Sequence, residues 1–310
     1  MTLTVSPPGS TTPTPPEGTG TGTTVRSGRR AGNRDRHRRG ASRWVVLAVV
    51  AAAALVMLVP FAVMLLNAFK SPGDYSANGP LSWPTEFYTR GLRTYWEQVD
   101  FPVKLWNSFV ISGSVAVFAV VVSLLNAYAL GIGRVRGRLW IVGLFLLANM
   151  LPQESLIYPL YYLAKQVGLY NTRLAVIVIF TVIQSAFGTY LLASVLSTFP
   201  RSLLEAAALD GAGRWRILWR VVFPNLRPTL SVLLIFFFIW TWNEFLIPLV
   251  MLIDNQTQTI PVALASLQGD RLMDAPTTNA GALISLVPAI LFFLIFQRTL
   301  SRGITAGAEK

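Results

Sequence analysis

Two carboxylates stand inside long apolar runs of this sequence: Glu154, just past Pro152, and Glu244, between Trp242-Asn243 and Phe245. An ionisable side chain at membrane depth is costly and therefore marks a solute path, a proton relay or a contact between helices. Around them Tyr158, Gln184, Asn126 and Tyr190 supply hydroxyls and amides. Aromatic faces beside amides and carboxylates suit sugars, whose rings present apolar faces and hydroxyl edges. The same groups also bind neighbouring helices together. Two readings therefore stand side by side for Trp242, Asn243, Glu244, Glu154, Tyr158 and Gln184: a substrate path, or polar contacts between helices.

Other chemistry is excluded by residue type. The 310 residues include no cysteine and a single histidine, His37, so a thiolate zinc site, a nucleophilic thiol and a histidine metal cluster are all out of reach. A phosphate-binding P-loop needs Gly-Lys followed by Ser or Thr. Lys70, Lys104, Lys165 and Lys310 are the only lysines, and none follows a glycine. Ser-x-x-Lys, His-Glu-x-x-His and Gly-x-Ser-x-Gly are likewise absent. No catalytic residue, metal or cofactor is expected, and the chain is read as a non-enzyme.

The elements that must position the carboxylates are membrane helices. Hydrophobic residues make up 53% of the chain and charged ones 13%, with a mean hydropathy of +0.52; a soluble domain carries roughly 25% charged residues. Apolar blocks long enough to span, at about 20 residues each, fall at Trp44–Leu66, Phe109–Leu130, Leu139–Tyr162, Leu174–Leu196, Thr229–Ile253 and about Ala280–Phe296. The fold expected is therefore an all-α membrane protein with six transmembrane helices. Before them, residues 1–43 are rich in Pro, Thr, Gly and Ser and then in Arg. Such a stretch lacks the apolar surface to offset its ordering entropy, so it is read as a disordered cytoplasmic arm.

The net charge of +12 does not point to nucleic acid, because its arginines collect in the arm and in short loops between apolar blocks. That placement sets orientation. With the arm inside, Arg134, Arg136, Arg138, Arg201, Arg214, Arg216, Arg220, Arg227, Arg298, Arg302 and Lys310 are inside too. The outer segments keep fewer cations: Lys70, Arg90, Arg93, Lys104, Lys165, Arg173 and Arg271. Both termini are expected in the cytoplasm. The outer loop after the first span carries Trp83, Tyr88, Tyr95 and Trp96, read as an interfacial aromatic belt in preference to a docking surface.

The inner segment from about 199 to 227 has a distinctive local pattern. Ser202 and Glu205 have capping-box spacing, Ala206 to Ala208 are strong helix formers, and Gly211 supplies a left-handed stop. A second helix is expected from about Gly213, with Trp215, Leu218, Trp219 and Val222 on one stripe and Arg214, Arg216 and Arg220 off it. Pro224 and Pro228 are expected to end it. On local physics alone this is a pair of surface helices whose arginines touch anionic lipid.

Glu205-Ala206-Ala207, three residues, Gly211, nine residues and then Val221-Val222-Phe223-Pro224 resembles the EAA motif of binding-protein-dependent ABC importer permeases. The family pattern prefers Ile and Leu where this chain has Val221 and Phe223. Asn107-Ser108, Gly168-Leu-Tyr-Asn-Thr172, Trp242-Asn243-Glu244-Phe245 and Gly303-Ile-Thr-Ala-Gly-Ala308 extend the resemblance over 44–310, and they are similar to the MalG-type permeases of carbohydrate importers. The resemblance implies a six-helix transmembrane domain over 44–310 whose EAA loop forms a coupling helix between the fourth and fifth spans. That helix would seat on a cytoplasmic ATPase through Glu205, Ala206, Ala207, Asp210, Gly211 and Pro224. It also implies a second, similar permease, a dimer of ATP-binding subunits, an extracytoplasmic solute-binding protein, a sugar substrate and residence in a bacterial plasma membrane. Rival readings are an ion-coupled secondary transporter using Glu154 and Glu244, a lipid-binding scaffold, and an ABC importer permease for a non-sugar solute.

Overall fold

A computed structural model describes residues 34–133, 135–270 and 274–308, with side chains from 43 to 266 (134 excepted) and from 274 to 298. Residues 1–33, Arg134 and Arg271 therefore lie outside the described residues, as do the side chains of the C-terminal Gly303–Ala308 motif. Contacts divide the chain within its first helix, into Met1–Leu58 and Val59–Lys310. Helix α1 runs Arg34–Ala68, so it opens before the apolar run that starts at Trp44. Every side chain from Trp44 to Leu58 is exposed.

The second unit is all helical among the described residues. Two short helices, α2 (Pro72–Asn78) and α3 (Arg90–Gln98), follow α1. Then come α4 (Phe101–Gly131), α5 (Arg138–Met150), α6 (Gln153–Gln166), α7 (Arg173–Ser197) and α8 (Arg201–Leu209). A continuous α9 (Arg214–Trp242) is followed by α10 (Leu246–Met251), α11 (Ile260–Asp270) and α12 (Ala275–Ala308). Helices α1, α4, α7, α9 and α12 are each long and apolar enough to cross a membrane. A sixth crossing exists if α5 and α6 count as one.

That condition corrects the expectation of an unbroken third span. Helices α5 and α6 meet at 96°. The residue before a proline is pushed out of the helical region by the proline ring, and Leu151 accordingly sits at φ −70°, ψ 129°. Pro152 follows at φ −60°, ψ 128°. Two successive extended residues turn the chain, and α6 starts afresh.

The bundle is built on α4 and α7, with α9 against both. Helices in lipid associate through close packing and interhelical hydrogen bonds, which favours small residues at crossings. Ala116, Ala119, Ser123, Ala127, Gly188, Thr189 and Ala193 are all buried where these helices meet. The Ser123 hydroxyl donates to the Ala119 carbonyl at 2.6 Å, and a Cβ on Gly188 would lie 2.2 Å from that hydroxyl. Only glycine fits there. A second tight crossing ties α3 to α12: Tyr95 is fully buried, bonds Ser285 at 3.1 Å, and lies 2.5 Å from where a Gly281 Cβ would be. Tyr95 thus belongs to the core, whereas Trp83 and Trp96 are exposed.

Candidate functional site

The alanine-rich segment between α7 and α9 forms the helical knob α8, but its start differs from expectation. Pro200, at φ −59° and ψ 114°, occupies the N-cap position with no side-chain bond, and Ser202 lies inside the helix. The proline's fixed φ sets the helix start, so the Ser202–Glu205 capping box does not form. The stop is as the sequence implies. Gly211 adopts φ +74°, its N–H donates to Ala208 O at 3.0 Å, and the Ala212 N–H donates to Ala207 O at 3.0 Å. These two bonds are a Schellman closure, which satisfies carbonyls that the helix end leaves free.

The knob is unpartnered on its outer side. Glu205, Ala206, Ala208, Asp210 and Gly211 are exposed, and Leu209 is 89% exposed. Leu204 turns inward against the bundle core. Two acidic groups, small alanines and an exposed leucine together make a surface that another helix-sized groove can approach closely.

From Gly213 the chain enters α9. The expected stripe splits: Leu218 and Val222 are buried, while Trp215 and Trp219 are 66% and 44% exposed. The prolines do not end the helix. Residues Leu218–Val222 form a π-helical segment, closed by the Phe223 N–H donating to Leu218 O. A proline in a regular helix clashes with the carbonyl four residues back; the widened turn immediately before Pro224 relieves that clash, and α9 continues through Pro224 and Pro228 to Trp242. Pro224 therefore sits within α9, not at a boundary. At 29 residues and 1.5 Å per residue, α9 is a rod of about 44 Å. Below its start lies a cavity of about 790 Å³ bordered by Tyr128, Leu204, Arg214 and Trp215, with the Tyr128 hydroxyl donating to Arg214 O at 3.0 Å.

The far end of the rod is a second helix break, which corrects the expected continuous fifth span. Asn243, Glu244 and Phe245 are non-helical, and the short α10 begins only at Leu246. The Asn243 side chain donates to Ile239 O at 2.7 Å, beside the backbone bond that the Asn243 N–H makes to the same carbonyl at 3.2 Å. This break separates neighbours that the sequence places together. Trp242 stacks on Phe238 (centroids 5.6 Å apart), which in turn stacks on Phe292 (4.2 Å), around an apolar cavity of about 380 Å³. Glu244 lies instead in an open cleft with Phe236, Ile239 and Trp240. Asn243 borders both spaces.

Glu154 occupies the first turn of α6, after the first break, and α6 packs through Leu160, Tyr161 and Ala164 against Ile247 and Met251 of α10, after the second. The structure therefore brings together two interrupted spans, each with a carboxylate at the interruption. Broken helices at membrane depth are tolerated where they line a cavity, and they build the solute sites of many carriers. Tyr158 stands one turn beyond Glu154 on the exposed face of α6. Gln184 does not join this group: it is buried on α7, and its amide donates to the Thr241 hydroxyl of α9 at 2.8 Å. Its role in the fold is the interhelical one. Asn126 likewise bonds Thr189, at 3.4 Å.

A polar clasp that sequence reasoning did not foresee holds the loop after α10. The Asn171 side-chain oxygen accepts from the Ile253 and Asp254 N–H groups, both at 3.0 Å, and from the Thr257 hydroxyl at 3.1 Å. Asn107 donates to Gln256 O and Gln258 O, Ser108 accepts from the Ile260 N–H, and buried Lys104 donates to Asn255. Arg173 donates to Asn107 at 3.1 Å. The short motifs Asn107-Ser108 and Gly168–Thr172 were visible in the sequence; their common partner was not. Asn171 takes φ +62°, an αL position that Asn tolerates better than most residues. Among the described residues no group of three His, Cys, Asp or Glu is placed to hold a metal ion.

Residues 119–306 match the family described as binding-protein-dependent transport system inner membrane component. The chain is 27% identical over 267 residues to the melibiose/raffinose/stachyose import permease protein MelC of Bacillus subtilis (strain 168), covering 86% of this chain and 96% of the relative. It is 31% identical over 261 residues to the trehalose/maltose transport system permease protein MalG of Thermococcus litoralis, covering 83% and 93%. The diacetylchitobiose uptake system permease protein DasC of Streptomyces coelicolor is 30% identical over 256 residues, covering 82% and 92%. In fold, the chain resembles a subunit of a bacterial ABC transporter involved in the import of the acidic polysaccharide alginate. That match has a TM-score of 0.65 at 22% identity and covers 86% of this chain and 98% of that one.

Proposed function

The chain belongs to the family of binding-protein-dependent transport system inner membrane components, and from that premise we propose that it is the membrane permease of an ATP-driven importer whose solute is an uncharged sugar or oligosaccharide. The sugar assignment is supported by relatives named for melibiose, raffinose, trehalose, maltose and diacetylchitobiose. The single observation that carries the coupling mechanism is the exposed knob α8, closed at Gly211 and joined by a short turn to a rod that ends at Trp242, just before Glu244.

The knob faces the cytoplasm and seats on an ATPase subunit supplied by another chain, with Glu205 and Asp210 meeting cations there and Ala206 and Ala207 allowing close approach. Residues 1–43 form the cytoplasmic arm, 44–310 the transmembrane domain, and both termini are inside the plasma membrane of a bacterium. A similar second permease, a pair of ATP-binding subunits and an extracytoplasmic binding protein complete the assembly. Closure of the ATPase pair on ATP pushes the knob. Leu218 and Val222 root α9 in the core, so the displacement moves the rod as a body and changes the break at Asn243–Phe245. The permease thus has two states, and nucleotide shifts their populations. Asn243 and Glu244 at one break and Glu154 and Tyr158 at the other border the path, while Trp242 supports it from the apolar side.

Copurification of the chain with its ATPase and binding protein, followed by reconstitution, tests this. Sugar uptake that requires ATP, the binding protein and Glu205 is the expected result. Uptake driven by an ion gradient without an ATPase would establish the secondary-transporter reading instead.

A further inference from the structure

Helix α6 has two unlike faces. Leu160, Tyr161 and Ala164 pack against Val176, Phe180, Ile247 and Met251 of α7 and α10. The other face carries Glu154, Tyr158 and Tyr162 at successive i, i+4 positions, all exposed. The two exposed tyrosines form a unit: their ring centroids are 4.7 Å apart, and the Tyr158 hydroxyl donates to the Tyr162 hydroxyl at 3.1 Å. Beyond them Lys165 lies over the Tyr161 and Tyr170 rings, at 4.8 and 5.3 Å.

Helices α5 and α6 pass as a crossing segment only together, so this stripe stands at membrane depth. Interfacial tyrosines commonly stand alone against headgroups. Here the stripe begins with a carboxylate, whose exposure to hydrocarbon is costly. That face therefore turns away from lipid, and α6 itself packs against α10, which directly follows the break that carries Glu244.

Resting on the import reading above, we infer that Tyr158 and Tyr162 form an aromatic rail for the solute, one that takes the apolar face of a pyranose ring while its hydroxyls donate to Glu154. An aromatic pair over which ring faces slide is tolerant of which sugar passes, since every pyranose has an apolar face. The carboxylate Glu154 at its head makes the rail suited to uncharged saccharides and unsuited to uronates.

The test uses the complete reconstituted transporter, with maltose, trehalose, raffinose, diacetylchitobiose and an oligouronate as labelled probes. Tyr158→Ala and Tyr162→Ala, each copurifying with its partners in wild-type proportion, are expected to lower the maximal uptake rate of the accepted saccharide about ten-fold, as loss of an aromatic contact implies. Tyr158→Phe and Tyr162→Phe keep the ring face and are expected to retain at least half of the rate. Undiminished uptake in both Ala variants, or Phe variants as impaired as Ala, would each overturn the rail while leaving the importer reading intact; wild-type transport of the oligouronate in preference to neutral sugars would overturn the rail together with the uncharged-sugar assignment, leaving only the ATP-driven importer. A wild-type complex that carries none of the saccharides overturns both.

Discussion

Gly211 offers the sharpest perturbation of the coupling knob, because its surroundings isolate one physical cause. It lies at φ +74°, and a Cβ built there would meet nothing within 4 Å. Replacement by alanine therefore adds no clash, only the cost of holding an L-residue in the left-handed region, about 1–2 kcal/mol. That is roughly a 5- to 30-fold loss in the population of the closed Schellman stop relative to a frayed knob. Gly211→Ala is expected to reduce solute-stimulated ATPase and uptake by a factor in this range. Gly211→Asn, which tolerates αL better, should recover most of the loss, and Gly211→Val, with its β-branch, should be the most impaired. Steady-state ATPase assays on reconstituted complexes, in parallel with thermal unfolding of the permease in detergent, read the two consequences separately. The reasoning is refuted if Asn and Ala are equally impaired, because the glycine then matters for a reason other than its backbone angle.

Three further outcomes follow from the packing. Gly188→Ala forces a Cβ to 2.2 Å from the Ser123 hydroxyl and is expected to cost about 1–3 kcal/mol through overpacking; Ser123→Gly in the same chain should restore much of it in a detergent melting assay. Gln184→Leu removes the bond to Thr241 and should cost about 0.6–1.7 kcal/mol, lowering the melting temperature without altering solute selectivity, whereas changed selectivity would return Gln184 to the path. Asp74, outside the spans, is held below its ordinary pKa of 3.8 chiefly by the Asn78 side-chain bond and then by the Thr85 N–H. A carboxylate whose folded pKa is depressed contributes stability that is fully present above 3.8 and is lost as pH falls through the lower folded value. Hydrogen exchange of the 72–88 segment should therefore stay slow at neutral pH and accelerate only in acid below the usual aspartate range, and Asp74→Asn should flatten that dependence.

The spans were legible because hydropathy averages over many residues, and α4, α7 and α12 fall where their apolar blocks do. The same averaging hid both breaks. Leu151-Pro152 and Asn243–Phe245 sit in windows apolar enough to read as continuous, although Pro152 was a visible signal for the first. Gly211 was legible because a glycine after an alanine-rich run has one common use. The start of the knob was not, since Ser202 and Pro200 are rival N-caps only two residues apart. Nor could the sequence show that a π-turn would carry α9 through Pro224, because that depends on Leu218 and Val222 being anchored in the core. Among the candidate path residues, Trp242 and Glu244 are two apart, yet the helix ends between them and sends them to different spaces. Gln184 looked like a path residue because its partner, Thr241, is remote in the chain. The Asn171 clasp was illegible for the same reason.

The side of the membrane on which the knob lies decides whether it can meet an ATPase. The chain has no cysteine, so Leu209→Cys, at a position 89% exposed, introduces a unique thiol. Labelling it with a membrane-impermeant maleimide in sealed vesicles of both orientations is the most direct test. Reaction only in inverted vesicles, with protection by the assembled ATPase, is predicted; reaction in right-side-out vesicles would contradict the central claim.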